Sequence, residues 1–166
     1  MNRSLCYNLL VVSIFLWCIL IVVPPMCMYE GSTYTSLGFA IYKLLSPICH
    51  QSESRSLHLA GYKLAVCSRC AAIYFGFFFG VLHFRFFSHR RIRKPLIWWT
   101  IAVVPMIVDV GSDAIGVHSS DIASRLVTGG IFGILAAVIL TPFVIQACME
   151  LTHHKSEGVV YEPKAR

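Results

Sequence analysis

Three cysteines and a histidine that suit metal coordination lie within one short, mostly polar stretch of the chain. Cys49 and His50 begin the stretch, and Cys67 and Cys70 end it in a Cys-x-x-Cys arrangement. Zinc prefers thiolate and imidazole ligands, and a Cys-x-x-Cys step can direct two thiolates at one ion at about 2.3 Å each. The sequence therefore predicts a Cys/His loop at 49–70 that holds a metal ion, with zinc as the expected metal.

The role of such a site depends on its fourth ligand. A tetrahedral site made by Cys49, Cys67, Cys70 and His50 would be closed and structural. Replacement of one ligand by Asp109 or by water would instead leave the open position that catalysis needs. The sequence leaves both arrangements open.

Two other interpretations of the cysteines also remain open. Cys67 and Cys70 are expected at the start of a helix, where the helix dipole and Arg69 favour a reactive thiolate, with Cys49 as an exchange partner. This chemistry is typical of a membrane thiol-disulfide oxidoreductase. In the third interpretation, one disulfide stabilises a non-catalytic structural or assembly subunit. Four further cysteines fall in or beside apolar segments and are expected to act as small hydrophobic residues: Cys6, Cys18, Cys27 and Cys148.

Charged residues near the ends of apolar runs are the second set of candidates. Asp109 ends such a run, where a carboxylate is costly without water, a cation or a hydrogen-bond donor. In an enzyme, metal-bound water would be the nucleophile, Asp109 a general base or ligand, and Arg125 or Arg69 would stabilise anionic charge. Together with Arg55, these arginines can bind the phosphate of a lipid-linked or small anionic substrate. Alternatively, each is salt-bridged to Asp109 or Asp113 and inert.

The composition indicates an integral membrane protein. Hydrophobic residues make up 57% of the 166 residues and charged residues 13%, and the mean hydropathy is +0.69, far from the values of a soluble domain. The apolar runs predict an all-α four-helix membrane bundle of one domain. The predicted spans are 5–27, 64–86, 95–110 and 126–149.

Two shorter patterns refine this prediction. Segment 35–47 has apolar residues at helical spacing but is too short to span, so it predicts an additional amphipathic helix that lies in the membrane interface and leads to Cys49. Gly76 and Gly80 form a small-xxx-small pair, which predicts the close approach of another helix. The polar segment after residue 110 is expected to be irregular.

The basic residues predict the orientation of the bundle. The densest positive run, at 88–94, lies between the second and third spans, and short basic loops stay in the cytoplasm. Both termini are then cytoplasmic, and the Cys/His loop, Asp109 and Arg125 share the outer face. This topology explains the net charge of +6. We expect the lipid bilayer as partner and no nucleic acid, because the basic loop lacks aromatic interleaving and a groove-binding element.

Several ordered blocks of the sequence resemble a known family. They are Cys49-His50-Gln51 with Arg55-Ser56, Gly61, the run from Val66 to Gly76, Pro105-Met106 with Asp109, and Arg125 with Thr128-Gly129. This pattern is similar to that of the uncharacterised prokaryotic integral-membrane family catalogued as domain of unknown function 2085. The resemblance implies a location in a prokaryotic plasma membrane. It also implies that six residues act as one unit, without identifying a reaction: Cys49, His50, Cys67, Cys70, Asp109 and Arg125.

Overall fold

The computed structural model describes residues 2–30, 34–87, 95–116 and 121–157 of the chain. These residues form five α-helices and one antiparallel two-stranded hairpin. The elements are α1 (Arg3–Tyr29), α2 (Thr35–Leu45), β1 (His58–Leu59), β2 (Tyr62–Lys63), α3 (Ser68–Phe87), α4 (Pro95–Ala114) and α5 (Ile122–Glu157). The predicted all-α architecture is confirmed, and the short hairpin is an addition. The basic run 88–94, on which the predicted orientation depends, lies outside the described residues.

Three of the described helices are long and apolar enough to cross a membrane, namely α1, α4 and α5. The part of α3 whose side chains are described, Ser68–Phe84, is a shorter apolar helix. A fourth span at this helix therefore stays a prediction. Helix α2 has only 11 residues and buries Gly38, Ile41 and Leu45 along one stripe. This stripe agrees with the amphipathic helix expected at 35–47.

Two helix boundaries differ from the predicted spans in ways that affect the candidate site. Helix α3 begins at Ser68 rather than near residue 64, because Tyr62 and Lys63 pair with β1 and the next residues form a buried bend. Helix α4 continues to Ala114, so residues 110–114 are helical and not irregular. Asp109 and Asp113 are therefore four residues apart on one face of α4.

The segment between α2 and α3 is held by hydrogen bonds and by a tight turn. Leu59 pairs with Tyr62, and the two residues between them, Ala60 and Gly61, have positive φ values of 53° and 85°. Such values match the two-residue turns that suit the twist of a hairpin. The Lys63 ammonium donates a hydrogen bond to the Gln51 carbonyl oxygen at 3.0 Å. This bond fixes the end of the hairpin beside the residues that follow Cys49.

Helices α3 and α5 approach each other closely enough for their backbones to touch. A Cβ atom at Gly76 would lie 2.6 Å from the carbonyl oxygen of Gly130, and one at Gly129 would lie 2.7 Å from that of Arg69. Such distances leave no room for a side chain. Small residues between membrane helices typically serve to let the two backbones approach this closely. The predicted close approach at Gly76 and Gly80 is confirmed. The contact also places the start of α3 beside the start of α5.

Candidate metal centre

Three cysteine thiols from two segments of the chain meet at the start of α3. Cys49 follows α2, Cys67 directly precedes α3, and Cys70 lies in its first turn. The three Sγ atoms all lie within 4.8 Å of one another. The backbone N–H of Cys67 donates a hydrogen bond to Cys49 Sγ at 3.1 Å. The structure thus brings together three of the four residues predicted to ligate a metal.

The environment of Cys49 favours its thiolate. Hydrogen bonds from the thiols of Cys67 and Cys70, with smaller contributions from the backbone N–H groups of Cys67 and Gln51, hold the pKa of Cys49 well below its ordinary value, and burial opposes this effect only in part. Hydrogen bonds to the charged form of a group lower its pKa in this way. Since the thiolate is the form that binds metals and attacks disulfides, Cys49 is the thiol of the cluster that is prepared for either reaction.

His50 lies beside this cluster rather than within it. Its side chain is exposed, and it does not belong to the group of potential ligand atoms formed by the three thiols. It nevertheless lines the same open cleft of about 630 Å³. The cleft is bounded by Ile48, Cys49, His50, Ser52, Ser54, Arg55, Cys67, Arg69, Cys70 and Arg125.

The first buried ion pair at this site joins Arg69 of α3 to Asp109 of α4 through Nη2 and Oδ2. The two side chains are only 14% and 9% exposed. Asp109 also accepts hydrogen bonds from the hydroxyl groups of Ser124 at 3.2 Å and Thr128 at 3.4 Å. One carboxylate therefore connects three helices, and it is fully engaged with donors.

A second ion-pair group lies one turn further along α4. The Arg125 Nη2 atom is 3.1 Å from each carboxylate oxygen of Asp113, and the Arg55 Nη1 atom is 3.2 Å from Asp113 Oδ2. All three arginines therefore form salt bridges with Asp109 or Asp113. Yet Arg55, Arg69 and Arg125 line the cleft, whereas neither aspartate is among its lining residues. The two carboxylates thus orient the guanidinium groups, and the guanidinium groups form one wall of the cleft.

Sequence reasoning did not identify Ser124 and Thr128 as partners of Asp109. Their spacing of four residues places both on one face of α5. The polar character of that face could be seen in the sequence, but its pairing with Asp109 of α4 could not.

An apolar layer lies next to the thiols. Cys49 belongs to a buried cluster with Ile21 and Leu45, against which Trp17 and Tyr74 also pack.

Residues 49–139 match the family described as "Predicted membrane protein (DUF2085)". The chain belongs to this family. The matched segment of this DUF2085 protein begins at Cys49 and contains the whole cluster of thiols, arginines and aspartates. The resemblance inferred from the sequence is thereby confirmed.

Two archaeal relatives support the same assignment. An uncharacterised protein of Methanocaldococcus jannaschii is 31% identical over 145 residues, which cover 84% of this chain and 93% of that protein. An uncharacterised protein of Methanothermobacter thermautotrophicus is 29% identical over 92 residues, which cover 55% of this chain and 83% of that protein. No solved structure matches the chain.

Proposed function

We propose that this membrane protein binds one zinc ion through Cys49, Cys67 and Cys70 at the extracytoplasmic membrane face. The observation that carries the proposal is the convergence of three thiols within 4.8 Å. Tetrahedral zinc–thiolate bonds of about 2.3 Å place the sulfur atoms about 3.8 Å apart. The thiols therefore need to move by only about 1 Å to reach that geometry.

The fourth zinc ligand in this proposal comes from the cleft. Because His50 is exposed and lies outside the thiol group, the three thiolates leave one position open toward the arginines. An open position is the feature that separates catalytic zinc sites from closed structural ones. This arrangement favours a zinc site that exchanges a ligand over a purely structural one.

Metal analysis of the detergent-purified protein tests the zinc site. We expect about one zinc per chain, because one thiolate cluster binds one ion. The Cys67→Ser variant should lose this zinc, since two thiolates and a hydroxyl bind it far more weakly. Cys27→Ser is the matched control and should keep the full content, because Cys27 lies outside the thiol cluster.

Three other results would each change the assignment. Absence of metal together with a reducible bond between Cys67 and Cys70 would favour a membrane thiol-disulfide oxidoreductase. Absence of both metal and such a bond would remove the proposal altogether. If the Asp109→Asn and Arg125→Ala variants kept one zinc per chain and left membrane physiology unaltered, the protein would be a structural or assembly subunit.

The same cleft offers a site for an anionic group. Arg55, Arg69 and Arg125 carry three positive charges along its wall, and charge-assisted hydrogen bonds from guanidinium groups suit phosphate and carboxylate oxygens. We propose a lipid-linked or small phosphate-bearing substrate that places an oxygen at the open zinc position. In this scheme Arg55, Arg69 and Arg125 contact the substrate. Asp109 holds Arg69 in place and does not act as a general base.

An Arg55→Gln variant tests the anion site with little risk to the fold. Arg55 is 52% exposed, and Asp113 keeps its contact with Arg125 in the variant. We expect binding of a short-chain phosphatidic acid, measured by calorimetry in detergent, to weaken about tenfold, because a hydrogen bond to a charged group contributes about 1.5 kcal/mol. Unchanged affinity would contradict the proposal. Equal binding of inorganic phosphate would assign the site to free phosphate rather than a lipid headgroup.

A further inference from the structure

A second group of thiols, made of two cysteines, lies near the start of α1. Cys6, in the second turn of α1, is only 3% exposed and forms a buried cluster with Phe84 and Ile145. Cys148, near the end of α5, packs against this cluster. The two thiols are hydrogen-bonded to one another, although neither is in a disulfide. The first and last helices thus present adjacent sulfur atoms from opposite ends of the sequence.

This pair is separate from the candidate metal centre. Ile21, which packs against Cys49, follows Cys6 by fifteen residues of continuous helix. At 1.5 Å per residue, this spacing places the two thiol sites roughly 22 Å apart along α1. On the orientation predicted from the sequence, the pair lies at the cytoplasmic end of the bundle, where thiols are kept reduced.

The environment of the pair distinguishes the two sulfur atoms. Cys148 is partly exposed, whereas Cys6 is buried. The residues around Cys148 on α5 also line an open cleft of about 560 Å³, with Arg3, Gln146 and Glu150 among its polar side chains. Cys148 is therefore the more accessible thiol of the pair, and the cleft lies beside it on the same helix.

We propose that Cys6 and Cys148 are a redox-active dithiol that reacts with small-molecule disulfides and links α1 to α5 covalently. The Cys148 thiolate attacks one sulfur of the disulfide, forming a mixed disulfide and releasing one thiol. The Cys6 thiolate then attacks the Cys148 sulfur, forming the Cys6–Cys148 bond and releasing the second thiol. Two protein thiols are oxidised, one external disulfide is reduced, and the two protons leave with the released thiols.

Oxidised glutathione is the probe that tests this proposal. The full-length protein in detergent is incubated with it, remaining thiols are alkylated, and the digest is analysed by mass spectrometry without reduction. We expect a cross-linked peptide that joins Cys6 to Cys148 within one chain, and the loss of both thiols to alkylation. The Cys27→Ser variant should form the same cross-link, and Cys148→Ser should leave Cys6 fully alkylated.

Three results would overturn the proposal, and the wild-type protein alone can give each of them. A glutathione adduct that persists on Cys148 would show that Cys6 does not complete the exchange. Independent alkylation of both thiols after oxidation would show that they do not react as a pair. A bond from Cys6 to a cysteine other than Cys148 would assign the reactivity to a different contact. Because mass spectrometry identifies each cross-linked peptide, oxidation of Cys49, Cys67 and Cys70 is distinguished from the Cys6–Cys148 bond.

Discussion

Replacing Asp109 by alanine is expected to lower the free energy of unfolding by about 3 kcal/mol or more, because it leaves a buried arginine without its counter-ion. Arg69 is 14% exposed and pairs with Asp109. Its Nε atom already has no hydrogen-bond partner among the described residues. The same substitution removes one of the hydrogen-bond acceptors of Ser124 and one of those of Thr128. Denaturant unfolding in detergent, followed by circular dichroism, measures the loss.

Two control variants separate the lost ion pair from other causes. Replacing both partners, as Arg69→Met with Asp109→Leu, should recover most of the stability, since a well-packed apolar pair often substitutes for a buried ion pair. Glu53→Ala removes an exposed ion pair with Lys63 and should change stability little. If Asp109→Ala were no more harmful than Glu53→Ala, Asp109 would not be a structural partner of Arg69.

Much of the fold could be predicted from the sequence because long apolar runs have few stable arrangements in lipid. The end of α4 could not, because Ser112 and Asp113 resemble loop residues when read along the chain. Asp113 is acceptable in a helix here because Arg55 and Arg125 neutralise it, and both come from other segments. The hairpin was missed for a related reason, since Ala60 adopts a positive φ of 53° that alanine rarely takes.

The thiol cluster could be predicted because ligand type and the Cys-x-x-Cys step carry most of the information. The place of His50 could not, because adjacent residues share a site only where the backbone turns between them. Here the positive φ of 47° falls at Gln51, and His50 lines the cleft beside the three thiols without joining their group. The pairing of Cys6 with Cys148 was equally hidden. The two cysteines meet because α1 packs on α5, and no local sequence pattern predicts that contact.

The contact between α3 and α5 connects this packing to the candidate site. Arg69 belongs to α3 and Arg125 to α5, and the carbonyl oxygen of Arg69 lies against Gly129. The separation of these two helices therefore sets the distance between two guanidinium groups that line the cleft. A substitution that widens the contact should weaken both the fold and the site, even when it lies away from the cleft.

Gly133→Ala is expected to destabilise the protein by about 3 kcal/mol, the upper part of the range for forcing extra volume into a packed contact. A Cβ atom at Gly133 would meet the backbone of α3, with Phe77 N at 2.8 Å, and backbone cannot yield by rotating a side chain. The helices must then move apart along their length. Thermal unfolding in detergent measures the effect, and zinc content measures its consequence at the thiols.

Gly130→Ala is the matched control, because it makes the same chemical change three residues earlier in the same helix. A Cβ atom at Gly130 would have no neighbour within 4 Å, so the added methyl group meets no obstacle. Alanine also favours the helix over glycine by up to about 1 kcal/mol, which predicts equal or higher stability for this variant. Similar losses in both variants would contradict the close packing of α3 and α5, since helix propensity alone cannot make alanine harmful at either position.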